Sequence, residues 1–155
     1  MIPTGRLIES ANSPLDFADA KPIDEALRAA DLVQFGGIDH SYSLENGGML
    51  RTAATLHSRE SGIKLLCRTT QPAVHIYTGN YLHEDAIGFD RYGNGFLRYG
   101  GVCFETQHFP DSPNKPEFPS TLLKAGERLF ETTEFEVNNG SILNSADIKP
   151  WGEQK

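Results

Sequence analysis

The sequence predicts a mostly β, antiparallel fold. Three observations carry this. Apolar and polar residues alternate with period two in six or so short segments. The 15 Gly and 9 Pro punctuate those segments. One stretch alone has convincing helical spacing. A chain of 155 residues suits one domain with a sizeable core. Its 38% hydrophobic and 23% charged shares are ordinary for a globular chain. The net charge of -7 speaks against nucleic acid or an anionic membrane as partner. No apolar run suits a membrane-spanning helix, and no basic-then-apolar leader opens the sequence. Cys67 and Cys103 both sit in apolar strand-like runs. They predict two buried thiols in a reducing, cytoplasmic setting rather than a disulfide.

In chain order, residues 1–10 read as a turn followed by a short strand, broken at Asn12-Ser13-Pro14. Pro22 to Ala30 is the predicted helix: Pro22 opens it, Asp24 and Glu25 fill the first turn, and Ile23, Ala26 and Leu27 share a face. Gly36-Gly37 permits a tight turn or a close backbone approach. Asp39 and His40 then start a strand in which Ser41 and Ser43 alternate with Tyr42 and Leu44. The Asp39-His40 pair reads equally as a turn closed by a side-chain hydrogen bond. Glu45-Asn46-Gly47-Gly48 is a hairpin-type turn.

Met49 to His57 and Gly62 to Thr70 form the next two strands, joined as a hairpin through residues 58–62. Ala73 to Thr78 follows and ends at Gly79-Asn80. It places His75 and Tyr77 on one face, where they line a polar pocket or act as hydrogen-bonded structural residues. His83 to Gly100 is a long loop by composition, and loops of this length are usually functional or mobile. Arg128 to Val137 is the last strand, and residues 138–155 read as a polar tail.

Gly101 to Asn114 carries the strongest chemical signal. Its first half is a strand with a carboxylate, Glu105, between Phe104 and Thr106. It runs into Phe-Pro-Asp-Ser-Pro-Asn, where two prolines and two turn formers predict a rigid loop. An ionisable group on a strand end beside a stiff loop is where catalytic groups tend to sit. An edge-strand glutamate facing water has the same pattern. No metal signature exists: the five His are scattered, and neither Cys-x-x-Cys nor His-x-x-x-His occurs. Phosphate-loop and dinucleotide fingerprints are absent, and no cofactor is expected.

Several blocks in this order resemble the galactose mutarotase (aldose 1-epimerase) family. They are Ile2-Pro3-Thr4-Gly5, Phe17 with Lys21-Pro22-Ile23, Gly37 to Tyr42, Glu60-Ser61-Gly62, Tyr77-Thr78-Gly79-Asn80-Tyr81-Leu82, and Phe104 to Asn114 through Phe118-Pro119-Ser120. The resemblance covers residues 1–137 and defines a partial domain, with 138–155 appended. It implies an antiparallel β-sandwich, similar to the C-terminal half of a supersandwich. It implies cofactor-free interconversion of the α and β anomers of free hexoses such as galactose or glucose. Glu105 matches the general base, and Asp39 the aspartate that binds sugar hydroxyls. His75, Tyr77 and Asn80 fall at substrate-binding positions, with His75 where relatives often carry Gln or an aromatic.

The family's general-acid histidine, a second active-site histidine and a sugar-binding arginine belong to an N-terminal half that this sequence does not match. None of His40, His57, His83 or His108 stands at a family acid position. The enzymatic expectation is therefore a base-bearing part that is weak alone and needs a complementary half, and that self-associates through uncovered edges. The alternative is a non-catalytic carbohydrate-binding or interaction module derived from a truncated mutarotase.

Overall fold

The computed structural model describes residues 2–33, 35–44, 48–82 and 88–139. Strand is the dominant element, arranged as two three-stranded sheets. Two short helices, α1 (Ile23–Leu27) and α2 (Ala30–Val33), precede β1 (Asp39–Ser43), β2 (Arg51–His57), β3 (Ile63–Thr69), β4 (Ala73–Tyr77), β5 (Cys103–Gln107) and β6 (Thr133–Asn139). One sheet has the order β1-β4-β5 and the other β2-β3-β6. No helix among the described residues is long and apolar enough to cross a membrane.

The chain divides into two compact units. One comprises residues 1–8, 41–74 and 105–155, the other 9–40 and 75–104. In the first, β2 and β3 form the expected hairpin. Ser58 and Ile63 close it with a backbone bond of 2.9 Å, and Gly62 supplies the left-handed φ of 73° that the turn requires. The pairing is antiparallel with a bulge between Thr52 and Ala54. Strand β6 adds to the far side of β3, with Cys67 opposite Phe135 and Leu65 opposite Val137. Arg68 reaches Glu134 and Glu136 at 3.6 and 3.3 Å across that pair, a half-exposed network worth little in isolation.

Threonine hydroxyls anchor the start of β6. Thr69 Oγ1 donates to the Thr132 carbonyl at 3.1 Å and shares a hydrogen bond with Thr133 Oγ1, also at 3.1 Å. Thr106 Oγ1 meets Thr133 Oγ1 at 2.6 Å, tying β5 to β6.

The second unit has a small core. Ala26, Leu32 and Ile38 are its buried residues, with Leu15, Phe17, Ile23, Leu27 and Ile76 packed around them. Lys21 lies over the Phe17 ring at 4.7 Å.

Three expectations are corrected. Residues 6–10 form no strand: Leu7 and Ile8 are 64% and 80% exposed, and among the described residues no strand pairs with them. The last strand begins at Thr133 instead of Arg128. Its partner β3 ends at Thr69, and at the next position the Thr70 side chain, at 2.9 Å, replaces the backbone acceptor for the Thr132 amide. Cys103 is exposed, so one thiol, Cys67, is buried and not two. The predicted helix is present but breaks after Leu27, resuming at Ala30. The turn at residues 45–47, His83 and nearly all of the predicted tail lie outside the described residues.

Candidate active site

Asp39 opens β1 directly after Gly36-Gly37-Ile38, and the conformation of those three residues is locked from the turn that follows β4. The Ile38 amide donates to Thr78 Oγ1 at 3.1 Å. Thr78 Oγ1 lies 2.6 Å from Asn80 Oδ1, and that short contact takes its single hydroxyl hydrogen. Asn80 Nδ2 donates to the Ile38 carbonyl at 2.9 Å, which also accepts from the Thr78 amide at 3.2 Å. Thr78 and Asn80 are both buried, so these bonds satisfy groups that would otherwise be costly inside.

The Asn80 amide sits directly over Gly37. A Cβ there would collide with Asn80 Oδ1 and come within 2.9 Å of Asn80 Cγ and 3.0 Å of Tyr99 Cε1. Gly37 also has φ of 138°, a region side chains rarely adopt. On the outer side, Tyr99 Oη and Arg98 Nη2 donate to the Gly36 carbonyl at 2.6 and 2.8 Å.

The locked segment delivers Asp39 to His75. The backbone bonds Thr78 N to Ile38 O and Leu44 N to Pro72 O run in opposite senses along β1 and β4, so the two strands are antiparallel. His75 Nε2 lies 2.8 Å from Asp39 Oδ1. A carboxylate only accepts, so Nε2 carries the proton. The Asp39 side chain is 47% exposed and His75 20%. His40, next on β1, is half-buried against the edge of Phe35. Burial lowers its pKa below the ordinary imidazole value; His75 pushes the same way and Asp39 opposes. His40 is therefore held toward the neutral form.

Of the other predicted residues in this unit, Tyr77 accepts a hydrogen bond from the Tyr81 amide at 3.1 Å through its hydroxyl. Asn80 is buried in the Ile38 lock. The structure thus brings Asp39 and His75 into direct contact and sets Asn80 behind them. Sequence reasoning missed Thr78, Arg98 and Tyr99 as parts of the lock. The signal for it was the Gly36-Gly37 pair, whose tight backbone needed something to press against it.

Glu105 belongs to the other unit. It is exposed on β5, between the half-buried Phe104 and Thr106. The loop after β5 is tied by several local contacts. Ser112 Oγ donates to the Phe109 carbonyl at 2.6 Å, Phe109 and Phe118 stack at 4.8 Å, and Lys115 pairs with Asp111 at 3.8 Å. Asp111 takes a left-handed φ of 62° at the head of a 3-10 turn, Ser112–Asn114, and is held there by the Asn114 amide. Among the described residues no group of three or more His, Cys, Asp or Glu is arranged to hold a metal ion.

Comparison with known proteins specifies the family. The aldose 1-epimerase family profile matches residues 1–136, and the chain belongs to that family. It is 36% identical over 138 residues to galactose mutarotase of Bos taurus, and 35% identical over 137 residues to aldose 1-epimerase of Haemophilus influenzae. These alignments cover 89% and 87% of this chain but 39% of each relative. The chain therefore spans about two fifths of the length of the curated relatives it matches. Among solved structures, a GalM/aldose epimerase homologue from C. elegans superposes with a TM-score of 0.70 at 21% identity, over 90% of this chain and 41% of that one. Galactose 1-epimerase from Lactobacillus acidophilus gives 0.64 at 25% identity, over 90% and 39%.

Proposed function

We propose that this chain supplies the base-bearing part of an aldose 1-epimerase acting on free hexoses such as galactose or glucose. Asp39 accepts hydrogen bonds from sugar hydroxyls. Glu105 takes the proton from the anomeric hydroxyl while an acid protonates the ring oxygen. The ring opens to the aldehyde, the C1–C2 bond turns, and closure on the other face gives the second anomer. Tyr77 and His75 border the sugar, and Asn80 serves it by fixing the loop that carries Asp39.

The observation that carries this reading is the Ile38 lock. Four side chains, Thr78, Asn80, Arg98 and Tyr99, are committed to holding one short loop whose next residue is a half-exposed carboxylate. A preorganised acceptor open to solvent suits a neutral polyol, whose hydroxyls need fixed partners. The family relationship supplies the reaction class.

The general acid comes from outside this chain, on the family resemblance, and so does the cover for β6. Phe135 and Val137 on that strand are 54% and 65% exposed, and Phe130 before it 80%. Such a surface takes a complementary segment or, without one, another copy of itself. Two free thiols fit a cytoplasmic setting.

Polarimetry of α-D-galactose tests the assignment. The chain alone should give near-background rates, and addition of a matching N-terminal half should restore them. Glu105→Gln in the mixture should lower the rate by roughly 10²-fold or more, because it keeps shape and removes basicity. Full activity of the reconstituted Gln variant would remove Glu105 as base. The second reading, a non-catalytic sugar-binding module, rests on the half-exposed Asp39 carboxylate, which can accept from a hydroxyl without any base. It predicts hexose binding that depends on Asp39 and no rate under any mixture.

A further inference from the structure

We infer that His75 is a positioning residue that commits one oxygen of Asp39 and so makes the site read a single sugar hydroxyl at that carboxylate. The inference rests on the hexose reading above and adds to it a rule of selectivity. A free carboxylate presents two oxygens and can bridge two adjacent hydroxyls. In this chain Oδ1 already accepts from His75 Nε2 at 2.8 Å. Among the described residues no donor reaches Oδ2. The Asp39 side chain is 47% exposed, so Oδ2 is the oxygen a ligand can meet.

The two residues are well placed for this division. The backbone of Asp39 is fixed by the Ile38 lock and by its place at the head of β1. The backbone of His75 is fixed in the middle of β4, the neighbouring strand. The imidazole is mostly buried, so it cannot swing away to solvent as a surface side chain would. One hydrogen bond between two such anchors selects one carboxylate orientation. It also occupies Oδ1 and leaves Oδ2 as the more open acceptor. Glutamine carries an N–H donor at a comparable reach and would make the same commitment. Leucine fills the space without a donor and would release Oδ1.

Two readouts on the full chain test this. The first is the χ1 rotamer of Asp39, read by three-bond NMR couplings without any sugar. A single rotamer is expected in the parent and in His75→Gln, and averaging in His75→Leu. The second is the affinity for galactose and its monodeoxy analogues, by ligand titration. In the parent, loss of one particular hydroxyl should weaken binding roughly 10-fold, with its neighbours changing affinity less than about 2-fold. In His75→Leu a second, adjacent hydroxyl should become sensitive, and His75→Gln should restore the parental pattern. An unchanged rotamer in His75→Leu, or an unchanged deoxy-sugar pattern, overturns the inference. A fixed rotamer that averages only in the Leu variant, together with no hexose binding by any form, upholds the positioning role and overturns the hexose reading. Circular dichroism of both variants guards against loss of fold, and His75→Gln decides the matter if the Leu variant does not fold.

Discussion

Gly37→Ala should be among the most damaging single substitutions in the chain, although it adds one methyl group. Two costs combine. The φ of 138° is unfavourable for any residue with a Cβ, by about 1–2 kcal/mol. The new Cβ also meets the Asn80 carboxamide, which is not the loose end of a flexible side chain. Its oxygen is held by Thr78 at 2.6 Å and its nitrogen by the Ile38 carbonyl at 2.9 Å, in a residue only 3% exposed. Pushing that amide aside leaves buried polar groups short of partners, at about 1–3 kcal/mol. The sum is about 2–5 kcal/mol, a large share of a typical domain's stability of about 5–15 kcal/mol.

The collision and the strain separate in a double-mutant cycle by urea denaturation. Asn80→Ala alone should cost about 2 kcal/mol through the lost bonds. In the double variant the Asn80 collision is gone and only Tyr99 Cε1 stays close, at 3.0 Å, so the methyl group's own cost should fall toward the backbone strain. The two substitutions should then be less harmful together than their sum by about 1–2 kcal/mol. Additivity to within about 0.5 kcal/mol would refute the claim that Asn80 is what Gly37 makes room for.

Asp39→Ala should abolish weak hexose binding, measured by ligand titration, while leaving the urea midpoint nearly unchanged because the side chain is half exposed. An Ellman titration of the native chain should find Cys103 reacting promptly and Cys67 only on unfolding, since Cys67 is buried and burial raises its pKa. Stability should decline on acidification below about pH 6.5, the unperturbed imidazole value. His40 has a lowered pKa in the fold, so the unfolded chain takes up its proton first as pH falls. His40→Phe should flatten that part of a urea-midpoint profile against pH; an equally steep profile would assign the decline to other groups.

The strand segments were legible because their signals are local. Alternation in residues 51–57 and 63–69, with Gly62 between, specifies a hairpin before any tertiary contact is known. Errors fell where a tertiary partner decides the outcome. Leu7 and Ile8 have apolar side chains suited to a strand, but among the described residues no strand pairs with them. Residues 128–132 were read as part of β6, yet the ladder ends just past β3, where the Thr70 amide still donates to the Thr132 carbonyl at 3.0 Å and the Thr70 side chain takes the Thr132 amide. Cys103 has apolar neighbours in sequence, but alternation along β5 turns it to the exposed side with Glu105. Exposure of a strand face depends on what packs against it, and no period-two pattern carries that information.

The site shows the same division at the level of single residues. Asp39, His75 and Glu105 were singled out by the family resemblance; carboxylates and imidazoles in strands are costly without a use, but the residues alone left each of them a structural reading as well. Their contacts were not, because the lock draws its parts from three separated stretches, 36–38, 78–80 and 98–99. Asn80 stands in the same short block as Tyr77 and was expected to touch the sugar with it. The alternation that turns Tyr77 toward its neighbours across the strand ends at Gly79, whose left-handed φ of 65° reverses the chain. The reversal points the Asn80 side chain back at Ile38, where it supports the carboxylate from behind. Two members of one short block are thus turned to different partners, Tyr77 to the Tyr81 amide and Asn80 to the loop that carries Asp39. Only the backbone turn between them tells which is which.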